Sequence, residues 1–244
     1  MPALVIATLA LPALPVAASM PTKAENAAFS AAVKAVKDRN YAQAIKLFEA
    51  QAKQARHDAQ YNLAVLLNAG KGRPRNYVEA LYWAWQAQLG DIEAAADIVG
   101  DITAILPPKA VDDIRTRVGD TLQARIDKQD LLAIPQFARF HLTVLDEPDY
   151  TNAYIWYSIA AALNMPETID ARDEAEGKIE DKDLVKAQMK TQELFDKYEF
   201  KPMSSPKESE QDSGQKPAGQ KPAGNNEQIS KTEQSVKGGN SGSY

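Results

Sequence analysis

The sequence predicts an all-α fold, a short α/α solenoid of antiparallel helical hairpins. Residues 25–199 are rich in the helix formers Ala, Leu, Gln, Lys and Glu. Apolar residues recur at helical spacing over residues 28–36 and again over 41–52, with a polar break at 38–40. Such a hairpin cannot bury its apolar faces alone, so the pattern requires neighbouring hairpins stacked against it.

The overall composition is that of a globular protein without cysteine. The 244 residues are 44% hydrophobic and 7% aromatic, and the formal net charge is −5. The lack of Cys excludes disulfides and Cys-ligated metals. Mild acidity without a Lys/Arg-rich face argues against a nucleic-acid partner.

Residues 1–24 are predicted to be a signal peptide. Residues 3–18 form an uncharged apolar run that is too short for a membrane span of ~20 residues and contains two prolines. Cleavage is expected near 18–24, after Ala18 or after Ala24, because small residues precede both. No Lys or Arg precedes the run, so a frayed N-terminus or an uncleaved anchor stays the alternative. Cleavage would leave a periplasmic or secreted protein with no integral membrane span.

Residues 201–244 are predicted to be a disordered, low-complexity tail. The segment has almost no large apolar residues and contains a tandem QKPAG pair. It cannot bury enough surface to offset the entropy of ordering. The repeat domain is therefore expected to span residues 25–200.

Residues 57–90 carry a spaced pattern of small residues, apolar residues and glycines. The pattern consists of Ala59, Leu63, Gly70, Gly72, Asn76, Ala80, Trp83, Ala87 and Gly90. It resembles the Sel1-like repeat, a relative of the tetratricopeptide repeat with a longer internal loop. Leu63 and Trp83 are expected to fill the space between the helices. The three glycines are expected to adopt positive φ at the helix ends and in the loop.

A second, degenerate unit is predicted at residues 138–164. Ala138 and Leu142 are matched with Ala59 and Leu63, which implies a loop six residues shorter than in the first unit. The other matched positions follow their counterparts by 73 residues and are Asp149, Ala153, Trp156 and Ala160. Asn164 is expected to replace the closing glycine, since Asn tolerates the left-handed conformation.

A similar stretch follows each unit, so the duplication is predicted to cover four helices. Residues 94–126 and 171–198 each have the pattern of a helix, a short break and a longer helix. Residues 25–56 resemble the half-repeat that precedes such arrays. The chain is therefore expected to hold about five stacked hairpins.

Neither histidine of the sequence predicts a chemical site. His57 is expected to be exposed beside Asp58, and His141 lies inside a predicted helix. Two His without Cys do not make a recognisable metal ligand set, and no Ser in a strained elbow accompanies them. The sequence assigns no catalytic, cofactor-binding or metal-binding residue and predicts a protein that is not an enzyme.

Tyr82, Trp85 and Tyr157 are the candidate partner-binding residues. Trp83 belongs to the repeat pattern, whereas Trp85 lies about 200° further round the same helix. Tyr157 follows Trp156 in the second unit. Two interpretations stay open. These aromatic side chains pack against the next hairpin, or they line a groove and anchor a partner, as Trp and Tyr do in binding hot spots.

The resemblance implies a protein-binding adaptor or scaffold. Exported bacterial members of the family act in the cell envelope, so the expected partner is a protein such as a membrane sensor or an envelope-assembly protein. A glycan- or peptidoglycan-binding module is the alternative, and it requires Tyr82 and Trp85 to be exposed along one channel. A hydrolase is a third class, for which the sequence offers no residue constellation.

Overall fold

The computed structural model describes residues 22–200, which form ten α-helices and no strand. The helices are α1 (Lys23–Lys37), α2 (Tyr41–Ala52), α3 (His57–Ala69), α4 (Tyr77–Leu89), α5 (Ala95–Thr103), α6 (Pro108–Ile126), α7 (Ala133–Thr143), α8 (Tyr150–Ala162), α9 (Thr168–Glu176) and α10 (Asp181–Tyr198). The predicted all-α solenoid is confirmed. None of these helices is long and apolar enough to cross a membrane. The predicted tail, and all but the last three residues of the predicted signal peptide, lie outside the described residues.

The first helix begins before the predicted start of the repeat domain. Thr22 caps α1 by accepting a hydrogen bond from the backbone N–H of Glu25, whose carboxylate in turn accepts one from the backbone N–H of Thr22. This reciprocal capping box satisfies two backbone donors that a helix start otherwise leaves free. Lys23 and Ala24 are therefore part of the first helical turn.

The helix bounds show a duplication of four helices. Helices α4 and α8 begin at Tyr77 and Tyr150, and α5 and α9 begin at Ala95 and Thr168. Each second helix thus starts 73 residues after the first, as α10 does after α6. We call α3–α6 the first unit and α7–α10 the second unit. The predicted duplication and its spacing agree with these bounds.

The predicted register of α7 is wrong by five residues. Helix α7 begins at Ala133 and ends at Thr143, so the loop before α8 is residues 144–149, against 70–76 in the first unit. The loop is thus shorter by one residue rather than six. Phe137 lies 5.2 Å from the ring of Trp156 and fills the place of Leu63. The sequence permits two registers because Ala133 and Ala138 are each followed four residues later by an apolar residue. Both alanines are fully buried.

Only three of the five helix pairs are hairpins packed along their lengths. Within the first unit α3 packs along α4, but α5 and α6 each pack on α4 instead of on each other. The second unit repeats this arrangement, with α9 and α10 both packed on α8. Helix α4 also contacts α7 and is therefore enclosed by four helices. This is why α4 is buried around almost its whole circumference.

Candidate functional site

The structure buries the three aromatic residues that the sequence singled out. Tyr82, Trp85 and Tyr157 are 6%, 2% and 5% exposed. Helices α4 and α8, which carry them, are packed by neighbours on several sides, so each of the three side chains is largely enclosed by protein. Their burial matches the first of the two interpretations, in which these side chains pack against neighbouring helices.

Tyr82 makes its specific contacts inside the solenoid. Its hydroxyl lies 3.0 Å from Thr121 Oγ1 on α6, and the guanidinium of Arg117 lies 3.8 Å from its ring centroid. Arg117 also pairs with Glu79 across the two helices. These contacts fasten α6 onto α4. A partner could reach the Tyr82 side chain only by displacing them.

An open cleft with an apolar lining lies between α3 and α5 in the first unit. We call it the α3–α5 groove, a cleft of about 500 Å³. It is lined by Tyr61, Val65, Asn68, Ala69, Arg75, Tyr77, Ala94, Asp97, Ile98, Asp101, Ile102 and Ile105. Tyr61, Val65 and Ala69 form one stripe on α3 because residues four apart lie on the same helix face.

Both walls of the α3–α5 groove present apolar side chains to solvent. Val65 on α3 is 37% exposed, and Ile105, just after α5, is 58% exposed. Ile98 and Ile102 form a buried floor between them. Apolar side chains that cluster in a concave surface, rather than lying scattered singly, are typical of interaction sites.

Two carboxylates of α5 line the same groove. Asp97 and Asp101 lie one helical turn apart, and both are exposed. Neither carboxylate forms an ion pair or a side-chain hydrogen bond with any residue of the described range. The one cation lining the groove, Arg75, donates a hydrogen bond of 3.0 Å to the Tyr77 hydroxyl and lies 5.6 Å from the centroid of that ring. The acidic side of the groove is thus left without an internal counter-ion.

The corresponding cleft of the second unit is occupied by internal pairs. It lies between α7, α9 and the first unit's residues His57, Gly90 and Asp91, and it has a volume of about 430 Å³. Arg139 stands where α3 has Val65, and it pairs with Asp91 Oδ1 at 2.6 Å and donates to the Leu89 carbonyl at 2.7 Å. Tyr157 lies at the wall of this cleft, where burial raises the pKa of its hydroxyl. The charged side chain therefore ties the second unit to the end of α4.

A chain of hydrogen bonds joins the two units at His57. Arg125 Nη1 donates to Gln136 Oε1 at 2.7 Å, and Gln136 Nε2 lies 2.9 Å from His57 Nε2. His57 Nδ1 lies 2.8 Å from Gln60 Oε1, and Gln60 Nε2 donates to the Ala52 carbonyl at 3.1 Å. Arginine can only donate and a carbonyl can only accept, so the direction of every bond is fixed. His57 must carry its proton on Nδ1 and accept at Nε2.

His57 is therefore not the exposed residue that the sequence predicted. It is partly buried between the two units, and burial lowers the pKa of its imidazole. The ring also lies against Gly90, where an added Cβ would come closer than 3.0 Å to three ring atoms. Gly90 itself has φ −98°, and the positive φ expected there belongs to Asp91. Gly90 is thus required for space and not for backbone conformation.

The other predicted glycine and asparagine conformations can be compared directly. Gly70 and Gly72 have φ values of 66° and 84°, as predicted. Asn164 has φ 58°, and it stands 73 residues after Asp91. Its left-handed conformation is confirmed, but its counterpart is Asp91 instead of Gly90.

His141 is the second histidine of the described residues 22–200. His141 is partly buried, and burial lowers the pKa of its imidazole, while Asp149 lies 3.8 Å from its Nδ1. No group of three or more His, Asp or Glu in this range could hold a metal ion. The sequence reasoning missed the α3–α5 groove. Tyr61, Val65 and Ala69, which form its α3 wall, are not among the residues of the repeat pattern on which the sequence prediction rested.

Comparison with known proteins supports the repeat assignment. The family model of the Sel1 repeat matches residues 37–54, 57–87 and 146–165. No curated protein matches the chain. A solved structure, a protective antigen present in uropathogenic Escherichia coli strains and displaying an SLR fold, is 24% identical with a TM-score of 0.28. The similarity covers 64% of this chain and 41% of that protein, so the chain spans less than half of its length. The three matched segments are Sel1-like repeats.

Proposed function

We propose that this protein is a non-enzymatic interaction scaffold or regulator that binds a protein segment in the α3–α5 groove. Sel1 repeats form helical scaffolds for protein interaction. The observation that carries the proposal is the apolar groove, with Val65 and Ile105 exposed on its opposite walls. Both walls belong to packed helices, so the groove needs little ordering to receive a ligand.

We further propose that the protein acts in the bacterial periplasm or cell envelope. This part rests on the apolar N-terminal run of residues 3–18, and a membrane sensor or an envelope-assembly protein is the partner that would fit it. The capping box of α1 favours cleavage after Ala18, since cleavage after Ala24 would remove Thr22. Loss of such an N-cap costs about 1 kcal/mol of stability.

The glycan-binding alternative required Tyr82 and Trp85 to be exposed along one channel. Both are buried. Sugar-binding aromatic side chains must offer a ring face to the ligand, so no observation favours this alternative at those residues.

Site-specific photocrosslinking of the full chain tests the proposed function. A benzophenone amino acid is placed at position 105 in the groove, or at position 189 on α10 as the control. Met189 is 70% exposed and lies outside the groove. We expect one dominant crosslinked protein in the envelope fraction from position 105 and none from position 189. Equal crosslinking from both positions, or a product that survives Val65→Asp, would refute the groove as the binding surface.

A further inference from the structure

We propose that the partner presents a basic, extended segment to the α3–α5 groove, with Lys or Arg side chains next to a branched apolar one. This inference rests on the proposed function and names the chemistry of the partner. It follows from three features of the groove: its apolar floor, its unpaired carboxylates, and the divergence of its twin in the second unit.

The apolar part of the groove fits side chains rather than a whole helix. The cleft of about 500 Å³ lies between Val65 and Ile105, with Ile98 and Ile102 as its floor. Such a volume suits one or two branched side chains and a short length of backbone. A segment bound there would cover the exposed parts of both walls, and burial of that apolar surface is favourable.

The carboxylates fix the charge and the spacing of the segment. Asp97 and Asp101 are four residues apart on α5, so their backbones are separated by about 6 Å along the helix axis. Alternate residues of an extended chain are separated by about 6.6 Å. Two basic side chains at alternate positions can therefore reach both carboxylates, while the residue between them points to the opposite side of the segment, towards Val65 on the α3 wall.

The protein does not neutralise these carboxylates itself. Neither Asp97 nor Asp101 has a cationic partner among residues 22–200, and Arg75 is held by Tyr77. Elsewhere on the described surface, carboxylates commonly pair with a neighbouring Lys or Arg, as Asp113 does with Lys109. A cationic ligand would therefore meet two free negative charges beside a partly dehydrated surface, where electrostatic complementarity selects between partners.

The second unit provides a matched control within the same chain. Asp170 and Glu174 on α9 stand 73 residues after Asp97 and Asp101, and both are exposed. Arg139, however, stands at the position of Val65 in the second unit, and neither Asp170 nor Glu174 lines the cleft beside it. At the position of Ile105 the second unit has Lys178. The acidic pair is thus repeated, but the apolar surface between the walls is not. Only the first unit combines both features.

Selection from a phage-displayed library of random dodecapeptides on the full chain tests the inference. We expect the enriched peptides to contain Lys or Arg at alternate positions around Ile, Leu or Val. Binding of synthetic copies is then measured by fluorescence anisotropy. The Asp97→Asn/Asp101→Asn variant should bind them about tenfold more weakly, and added salt should weaken binding to the wild type. The control variant Asp170→Asn/Glu174→Gln should stay within about twofold of the wild type.

The outcomes separate this inference from the proposed function. Enriched peptides that are uncharged or acidic, or that bind both double variants equally, would overturn the basic segment. If those peptides still lose affinity on Ile105→Asp, the groove stands as a protein-binding site. A selection that enriches no peptide on the wild type would overturn both proposals.

Discussion

Replacing Gly90 by alanine tests the contact between the two units. The φ of −98° at Gly90 is ordinary for an L-residue, so alanine meets no backbone strain there. Its Cβ would nevertheless overlap the His57 ring, closer than the 3.0 Å that real Cβ atoms respect. The ring would have to move, and its hydrogen bonds of 2.8 Å to Gln60 and 2.9 Å to Gln136 would break.

The expected cost of Gly90→Ala is about 2–4 kcal/mol of the free energy of unfolding. Overpacking a tight site costs about 1–3 kcal/mol. Each lost hydrogen bond adds about 0.5–1.5 kcal/mol. Alanine also restricts the unfolded chain more than glycine does, and this effect offsets the loss of stability by about 0.4–1 kcal/mol. The change is measured by urea unfolding of the full chain, followed by tryptophan fluorescence and circular dichroism.

A double-mutant cycle isolates the cause of that loss. In a His57→Ala background the overlapping ring is absent, so Gly90→Ala should cost less than about 1 kcal/mol. Gly100→Ala is the matched control, because a Cβ at Gly100 meets nothing within 4 Å. It should stabilise α5 by about 0.5–1 kcal/mol. An equal cost of Gly90→Ala in both backgrounds would refute the argument that the His57 ring explains the glycine.

Two further predictions concern pH and the repeat core. Burial lowers the pKa of His57 and of His141 below 6.5, so the unfolded chain takes up protons before the native chain does as the pH falls. The free energy of unfolding should be constant above about pH 6.5 and decrease below it, by up to about 1.4 kcal/mol per pH unit for each histidine. Urea unfolding at pH 7.5 and 5.5 measures this, and equal stability at both values would contradict it. Trp83, 9% exposed with its ring 4.8 Å from that of Tyr82, should cost roughly 3–5 kcal/mol when changed to Ala. A loss near zero in the same assay would mean that Trp83 does not fill the centre of the hairpin.

The fold could be predicted from the sequence at positions where the residue type favours one local structure. Gly70 and Gly72 adopt positive φ, which favours glycine, and the large side chain of Trp83 is buried between helices. Together they fixed the α3–α4 hairpin. The register of α7 could not be fixed in the same way. An alanine followed four residues later by an apolar residue occurs at both Ala133 and Ala138, and both patterns suit a buried helix face.

The candidate site could not be predicted because periodicity shows which face a residue occupies and not how many helices surround it. Trp85 lies on a different face of α4 from Trp83, yet α4 is enclosed by α3, α5, α6 and α7. Both faces are therefore buried. Gly90 was missed for a related reason, since its constraint comes from His57, a residue far from it in the sequence. Contacts of this kind depend on the stacking of units, which one repeat pattern does not specify.

The duplication itself shows that the open groove is not a requirement of the fold. Val65 on α3 corresponds to Arg139 on α7, and Ile105 just after α5 corresponds to Lys178 just after α9. The second unit therefore folds with charged residues at these positions and uses Arg139 to pair with Asp91. The fold therefore does not depend on exposed apolar side chains at these two positions. Such side chains also raise the risk of aggregation. Under the proposed function, a ligand that covers them accounts for their presence in the first unit. The double variant Val65→Arg/Ile105→Lys places the second unit's residues in the first unit. It should leave the fold intact and abolish binding in the α3–α5 groove.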